Sequence, residues 1–128
     1  MQVQRLNPPS LMKPIGSYCQ VARKGNIVTV AGMVAIDASG NLVGAGDIRA
    51  QTRKVLENMQ TALVAAGAKV TDVLKTTVYL SDFSNYKGMN EIFDEVFKSC
   101  PPARATIRAD LYKPEWLIEI DAIAVADS

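Results

Sequence analysis

The sequence predicts an α+β fold: one sheet of five to six strands with two helices packed on one of its faces. Three patterns carry that prediction. Residues 47 to 66 repeat apolar side chains at three- and four-residue spacing, and residues 73 to 80 alternate strictly. Prolines and glycine turns cut much of the remainder into short β-branched runs. The chain has 128 residues, read as one domain over 1–128. At that length roughly two-thirds of the unfolded surface can be buried without a disulfide or metal staple.

Residues 7 to 17 hold three of the six prolines and predict an irregular lead-in, because proline cannot donate to a strand ladder. Tyr18 to Arg23 and Ile27 to Ile36 read as strands separated by a Lys24-Gly25-Asn26 turn. Ile27, Val28 and Val30 are β-branched, which suits a pleated backbone. Asp37-Ala-Ser-Gly-Asn41 is a second turn, with Leu42 and Val43 as a short returning strand. The helix over 47–66 buries Ile48, Thr52, Val55, Leu56, Met59, Leu63 and Ala66, with Asp47 as its cap and Gly67 as its left-handed stop.

Over Val73 to Leu80, Leu74, Thr76, Val78 and Leu80 share one face, opposite Val73, Lys75, Thr77 and Tyr79. A second helix spans Asn85 to Phe97, burying Tyr86, Met89, Phe93, Val96 and Phe97, and ends before Pro101-Pro102. Arg104 to Ala109 and Leu117 to Ala126 close the chain as strands. On the last, Ile118, Ile120, Ala122 and Ala124 point one way, and Glu119, Asp121, Ile123 and Val125 the other. Two acids among Ile and Val make too apolar a face for simple solvation, which predicts that it packs on another subunit.

Composition excludes several chemistries. There is no histidine, so a Ser-His-Asp or Cys-His nucleophile system, a His-ligated zinc and a two-histidine ribonuclease mechanism are ruled out within one chain. Fourteen Lys+Arg against thirteen Asp+Glu leave a net charge of +1, which gives no drive toward nucleic acid or an anionic membrane. Cys19 and Cys100 match neither C-x-x-C nor a disulfide framework and read as packing thiols. The first nine residues lack a signal-peptide core and no apolar run reaches a membrane span, so the expectation is a soluble, cytoplasmic protein. Gly44-Ala-Gly46 precedes a helix, but Arg49 stands where the third glycine of a dinucleotide loop belongs. The acids are too scattered for an all-carboxylate metal site.

The 104–109 strand puts Arg104, Thr106 and Arg108 on one face. If it pairs with the last strand, those residues share a face with Glu119 and Asp121. Two readings follow. The arginines form structural ion pairs at a subunit contact, or one guanidinium is left to clamp a substrate carboxylate through two parallel hydrogen bonds. Tyr18 is either an amphipathic rim residue or part of a site. Asn90, slightly disfavoured inside a helix, is either solvated or an orienting amide.

The ordered set Ile15-Gly-Ser-Tyr18, Val28-Thr-Val-Ala-Gly32, Gln51-Thr-Arg-x-x-Leu-Glu-Asn58, Lys75-Thr-Thr-Val78, Asn90, Pro102-Ala-Arg104 and Ile118-Glu-Ile-Asp-Ala-Ile-Ala-Val125 resembles the RidA (YjgF/YER057c) family of reactive-intermediate deaminases. The likeness runs from about residue 13 to residue 126. It implies a chorismate-mutase-like fold assembled as a homotrimer with three inter-subunit clefts. It also implies hydrolysis of enamines and imines such as 2-aminoacrylate to 2-keto acids and ammonia, without a cofactor. The family's carboxylate-binding arginine falls on Arg104, its glutamate on Glu119, its cleft tyrosine on Tyr18, its helix asparagine on Asn90 and its cleft glycine on Gly32. Thr106 joins the substrate-binding set. Ser17, Ala105, Thr106 and Arg108 depart from the commoner family residues and bear on substrate preference.

The implied mechanism has Arg104 holding the carboxylate, Glu119, directly or through backbone carbonyl oxygens on the 104–109 strand, orienting and partly deprotonating a water, and Tyr18 of a neighbouring subunit closing the cleft. Three other functions remain open from the residues. They are a non-catalytic or chaperone-like trimer that binds small carboxylates, a pathway-specific deaminase, and an endoribonuclease, which the charge and the missing histidine disfavour.

Overall fold

The computed structural model describes residues 1–127. Its strands are β1 (Gln4–Leu6), β2 (Val21–Lys24), β3 (Ile27–Met33), β4 (Val73–Leu80), β5 (Ala103–Arg108) and β6 (Ile118–Val125). The helices are α1 (Ile48–Ala65) and α2 (Tyr86–Phe97). All six strands form one sheet in the order β1-β2-β3-β6-β4-β5. Only the β4–β5 pair is parallel. Parallel neighbours need a crossover, and α2 provides it; α1 likewise links β3 to β4, which run the same way on either side of β6. The predicted sheet with two helices is therefore present. Among the described residues, no helix is long and apolar enough to cross a membrane.

α1 forms where its periodicity places it. The Asp47 side chain accepts from the Ala50 N–H at 3.1 Å, satisfying one of the free donors of the first turn. At the other end Gly67, at φ +79°, donates to Val64 O, and Ala68 N–H reaches back to Leu63 O. Those two bonds are the paired closure that a left-handed residue permits. Val55, Leu56, Met59, Ala62 and Leu63 are buried against β3 and β6, whose inner residues Val28, Val30, Ile118, Ile120, Ala122 and Ala124 are all buried. Arg49–Glu91 and Arg53–Glu95 join the exposed edges of the two helices. Such surface pairs contribute at most about 1 kcal/mol.

Several expectations are corrected. β1 has no counterpart among the expected strands; it pairs with β2 from Gln4–Arg23 to Leu6–Val21. β2 starts only at Val21, because Tyr18 sits in a tight turn with its N–H on Gly16 O at 2.9 Å. β3 stops at Met33, and the returning strand at Leu42–Val43 reduces to one Ile36–Leu42 bridge. On β4 a register shift between Val73 and Lys75 turns Leu74 outward and Val73 inward, so Leu74 does not share the face of Thr76, Val78 and Leu80. On α2, Gly88 and Ile92 are buried in place of the expected Tyr86 and Val96.

The topological correction matters most for function. β5 and β6 do not pair; β4 lies between them. Arg104 sits beside Thr76 and Thr106 beside Val78, both on the helix side of the sheet. Glu119 sits beside Tyr79 and Asp121 beside Thr77, on the open side. The arginines and the acids thus occupy opposite faces of one protomer.

Candidate active site

The acidic half is built by β6 and a bulge in β3. Between Val30–Ala122 and Met33–Ile120 the register slips, so Ala31 and Gly32 together oppose Asp121. The slip brings Gly32 against Glu119. A Cβ on Gly32 would lie 2.8 Å from Glu119 Cδ and closer still to Oε2. Gly32 has no positive φ, so the position demands glycine for space rather than for backbone freedom. Across the strand, Asp121 accepts from Thr77 N–H at 3.2 Å and from Tyr79 Oη–H at 3.1 Å. Burial, reinforced by the Asp121 charge, pushes the Glu119 carboxyl above its ordinary pKa. Burial and then the Asp121 hydrogen bond hold the Tyr79 phenol above its ordinary value.

Glu119 and Gly32 open into a cavity of about 230 Å³, which Tyr18 also lines. Tyr18 is half exposed, and its hydroxyl accepts weakly from Ile15 N–H at 3.4 Å. The rest of the wall is mostly apolar and comes from three irregular segments: residues 11–15, 33–36 and 112–116. Each is tied to the core by a buried carboxamide that the sequence motifs do not single out as functional. Gln20 donates to Met12 O at 2.7 Å. Asn58 donates to Val34 O and Ile36 O, both at 3.0 Å. Gln51 donates to Gly44 O and Glu115 O and accepts from Leu117 N–H. Gln51 and Asn58 lie on the apolar stripe of α1, and an amide on such a stripe is the signal that could have found them.

The basic half lies on the other side of the sheet. Arg104 and Asn90 line a second hollow of about 280 Å³ between α2 and β5. The guanidinium stands 4.7 Å from the centre of the Phe93 ring and 5.7 Å from that of Tyr86, and Nη2–H donates to Tyr86 Oη at 2.8 Å. Among the described residues no carboxylate lies within ion-pair distance of Arg104, so the structural ion pair with Glu119 or Asp121 does not form within a protomer. Tyr86, expected in the core, is instead 41% exposed and orients the guanidinium. Thr106 follows two residues on, half-buried on the same face as Arg104. The structure therefore brings Tyr18, Gly32 and Glu119 together, brings Arg104 and Asn90 together, and keeps the two groups apart.

Comparison with known proteins fits this architecture. The profile of the family described as Endoribonuclease L-PSP matches residues 9–126. A RutC family protein of Pyrococcus horikoshii is 44% identical over 112 residues, covering 88% of this chain and 89% of that one. A solved structure from the Rid protein family of Yersinia pestis superposes with a TM-score of 0.90 at 30% identity, covering 98% of this chain and all of the other. The structure of E. coli TdcF with bound serine gives 0.88 at 27% identity over 97% and 99% of the two chains. On that profile match and that identity, the chain belongs to the Endoribonuclease L-PSP family, the RidA/YjgF family that its sequence motifs resemble.

Proposed function

We propose that the protein is a hydrolytic deaminase of reactive enamines and imines such as 2-aminoacrylate, working as a cytoplasmic homotrimer with its sites in clefts between subunits. The observation that carries this reading is the Arg104 guanidinium, held by Tyr86 and Phe93 beside Asn90 in a hollow that Asp94 also lines, with no carboxylate at ion-pair distance among the described residues. A planar fork fixed in this way suits bidentate capture of a ligand carboxylate. The serine bound to TdcF is a small amino carboxylate of the size this fork would take. Because Arg104 and Glu119 face opposite ways in one protomer, a single site needs Arg104 and Asn90 of one subunit opposite Glu119, Gly32 and Tyr18 of another.

In that cleft the enamine tautomerises to an imine, and Arg104 holds its carboxylate at roughly 1.5–3 kcal/mol per charge-assisted hydrogen bond. Glu119 accepts a proton from a water as its oxygen bonds to the imine carbon. Glu119 returns that proton to the nitrogen, the proton of the new hydroxyl follows as the carbonyl forms, and the carbon–nitrogen bond breaks, so ammonia leaves with both protons of the water and the 2-keto acid remains. Asn90 and Thr106 orient the bound acid, and Tyr18 closes the edge. The imine already reacts with water unaided, so positioning supplies most of the acceleration.

Pyruvate and ammonia release from 2-aminoacrylate, generated in situ by a pyridoxal-phosphate lyase at matched flux, tests the reading. The wild type is expected to accelerate release. Arg104→Ala should lose about a hundredfold or more while still assembling. Retained activity in Arg104→Ala removes the clamp. No acceleration by the wild type, with serine still bound, favours the reading the bound-serine relative suggests: a carboxylate-binding protein without turnover. Cleavage of RNA, the activity in the family's description, has little support here, given no histidine and a charge of +1.

A further inference from the structure

The cavity beyond Glu119 is far larger than the two-carbon remainder of 2-aminoacrylate requires. Its volume of about 230 Å³ is several times the ~30 Å³ share of one liquid water. Leu11, Met12, Val34, Ile36 and Trp116 wall it, and Leu11 and Val34 are themselves buried. It is also built in advance. Gln20 and Asn58, which themselves line the cavity, and Gln51 behind it are each at least nine-tenths buried and fix the three wall segments. A small substrate would leave this apolar wall facing a void or displaced water, and unfilled wall atoms gain no dispersion contacts. Glu119 at one end places the attacking water, so the group bonded to the imine carbon on the side away from the carboxylate is what would enter.

We infer that this cavity is a side-chain pocket, and that the preferred substrates are imines of 2-keto acids with large apolar side chains, branched aliphatic or aromatic. The inference rests on the deaminase reading above and goes further by naming which imines the site selects. Water adds to the imine carbon, the carbon–nitrogen bond breaks and ammonia leaves, as for the small substrate; only the filling of the pocket differs. Each additional methylene seated in a hydrophobic pocket changes specificity by about 10- to 200-fold.

The test generates imines from D-alanine, D-leucine and D-phenylalanine with a flavin-dependent D-amino-acid oxidase at matched flux. The imine carbon is achiral, so the oxidase's stereochemistry does not matter. Untreated imine is trapped with semicarbazide, and the fall in trapped product reports hydrolysis by the protein. The expected result is a kcat/KM for the leucine or phenylalanine imine at least about tenfold above that for the alanine imine. Val34→Phe, which fills the cavity, should lower the leucine-to-alanine ratio by a similar factor. Equal or greater efficiency on the alanine imine overturns the inference and leaves the deaminase reading standing. No hydrolysis of any of the three overturns both. The wild-type series decides the matter even if Val34→Phe does not fold.

Discussion

Glu119 shows how the proton affinity of a single residue is set by burial and by a neighbouring charge. It is an acid on a half-buried strand, with Asp121 two residues along the same face and no cation of its own chain in ion-pair reach among the described residues. Burial first, and the Asp121 charge second, raise its pKa. A raised value suits a base that must take a proton from water and release it again near neutral pH. The sign for activity follows. In the proposed mechanism Glu119 must be ionised to accept a proton, so the rate is expected to rise as pH climbs through its raised pKa, with an acid limb higher than an ordinary glutamate's. Asp121→Asn removes the like charge but keeps an acceptor for Thr77 N–H or Tyr79 Oη–H. That limb should move to lower pH in the variant, read from kcat/KM for imine hydrolysis between about pH 4 and 8. An unmoved limb would mean that Asp121 does not act on Glu119 electrostatically.

At the scale of an element, α1 shows local chemistry and tertiary contact meeting at one residue. Gly67 closes the helix at φ +79°, and a Cβ there would also come within 2.8 Å of Arg23 Nη1. That same nitrogen donates to Ala66 O at 2.7 Å, so Arg23 ties β2 to the end of α1. Gly46 has a similar φ of +71°, but a Cβ added there would meet nothing within 4 Å, and it serves as the control. Gly46→Ala should cost about 1–2 kcal/mol of unfolding free energy through conformation alone. Gly67→Ala should cost more, because Arg23 must also move; denaturant midpoints of the two variants measure the difference. The cap and stop of α1 are legible because their causes are local: an acid before an apolar repeat and a glycine after it. The β-bulges are not. Nothing in Val73-Leu74-Lys75 or Ala31-Gly32 announces an extra residue, since it exists only relative to a partner strand. β1 escapes a sequence reading for the same reason: Gln4-Arg5-Leu6 has no alternation to read and becomes a strand because β2 offers it an edge.

At the scale of the whole molecule, strand order decides what the site residues can do. The sequence places Arg104 and Glu119 on strands with the correct inward and outward alternation, yet alternation carries no information about which strands are neighbours. The insertion of β4 between β5 and β6, and the register that aligns Arg104 with Thr76 and Ala122 and so puts it on the face opposite Glu119, are therefore invisible until the sheet is seen. The open face was legible, and the structure shows its character: Ile27, Leu74, Ile107, Ile123 and Val125 are each between 42% and 58% exposed there or at its edge. Covering a half-exposed side chain of this size yields roughly 1 kcal/mol, so burying several per protomer favours association. On the proposed deaminase reading assembly and catalysis are coupled, because Arg104 and Glu119 face opposite ways within one protomer. Ile123→Glu places a charge in the middle of that face, beside Asp121, without touching either hollow. Sedimentation equilibrium should find the wild type at three times the protomer mass and Ile123→Glu at one. Far-UV circular dichroism should stay unchanged, and imine hydrolysis should fall with the trimer rather than with the fold. A wild type that sediments as a monomer and still hydrolyses imines would show that the two faces are not joined across subunits and that Arg104 acts elsewhere.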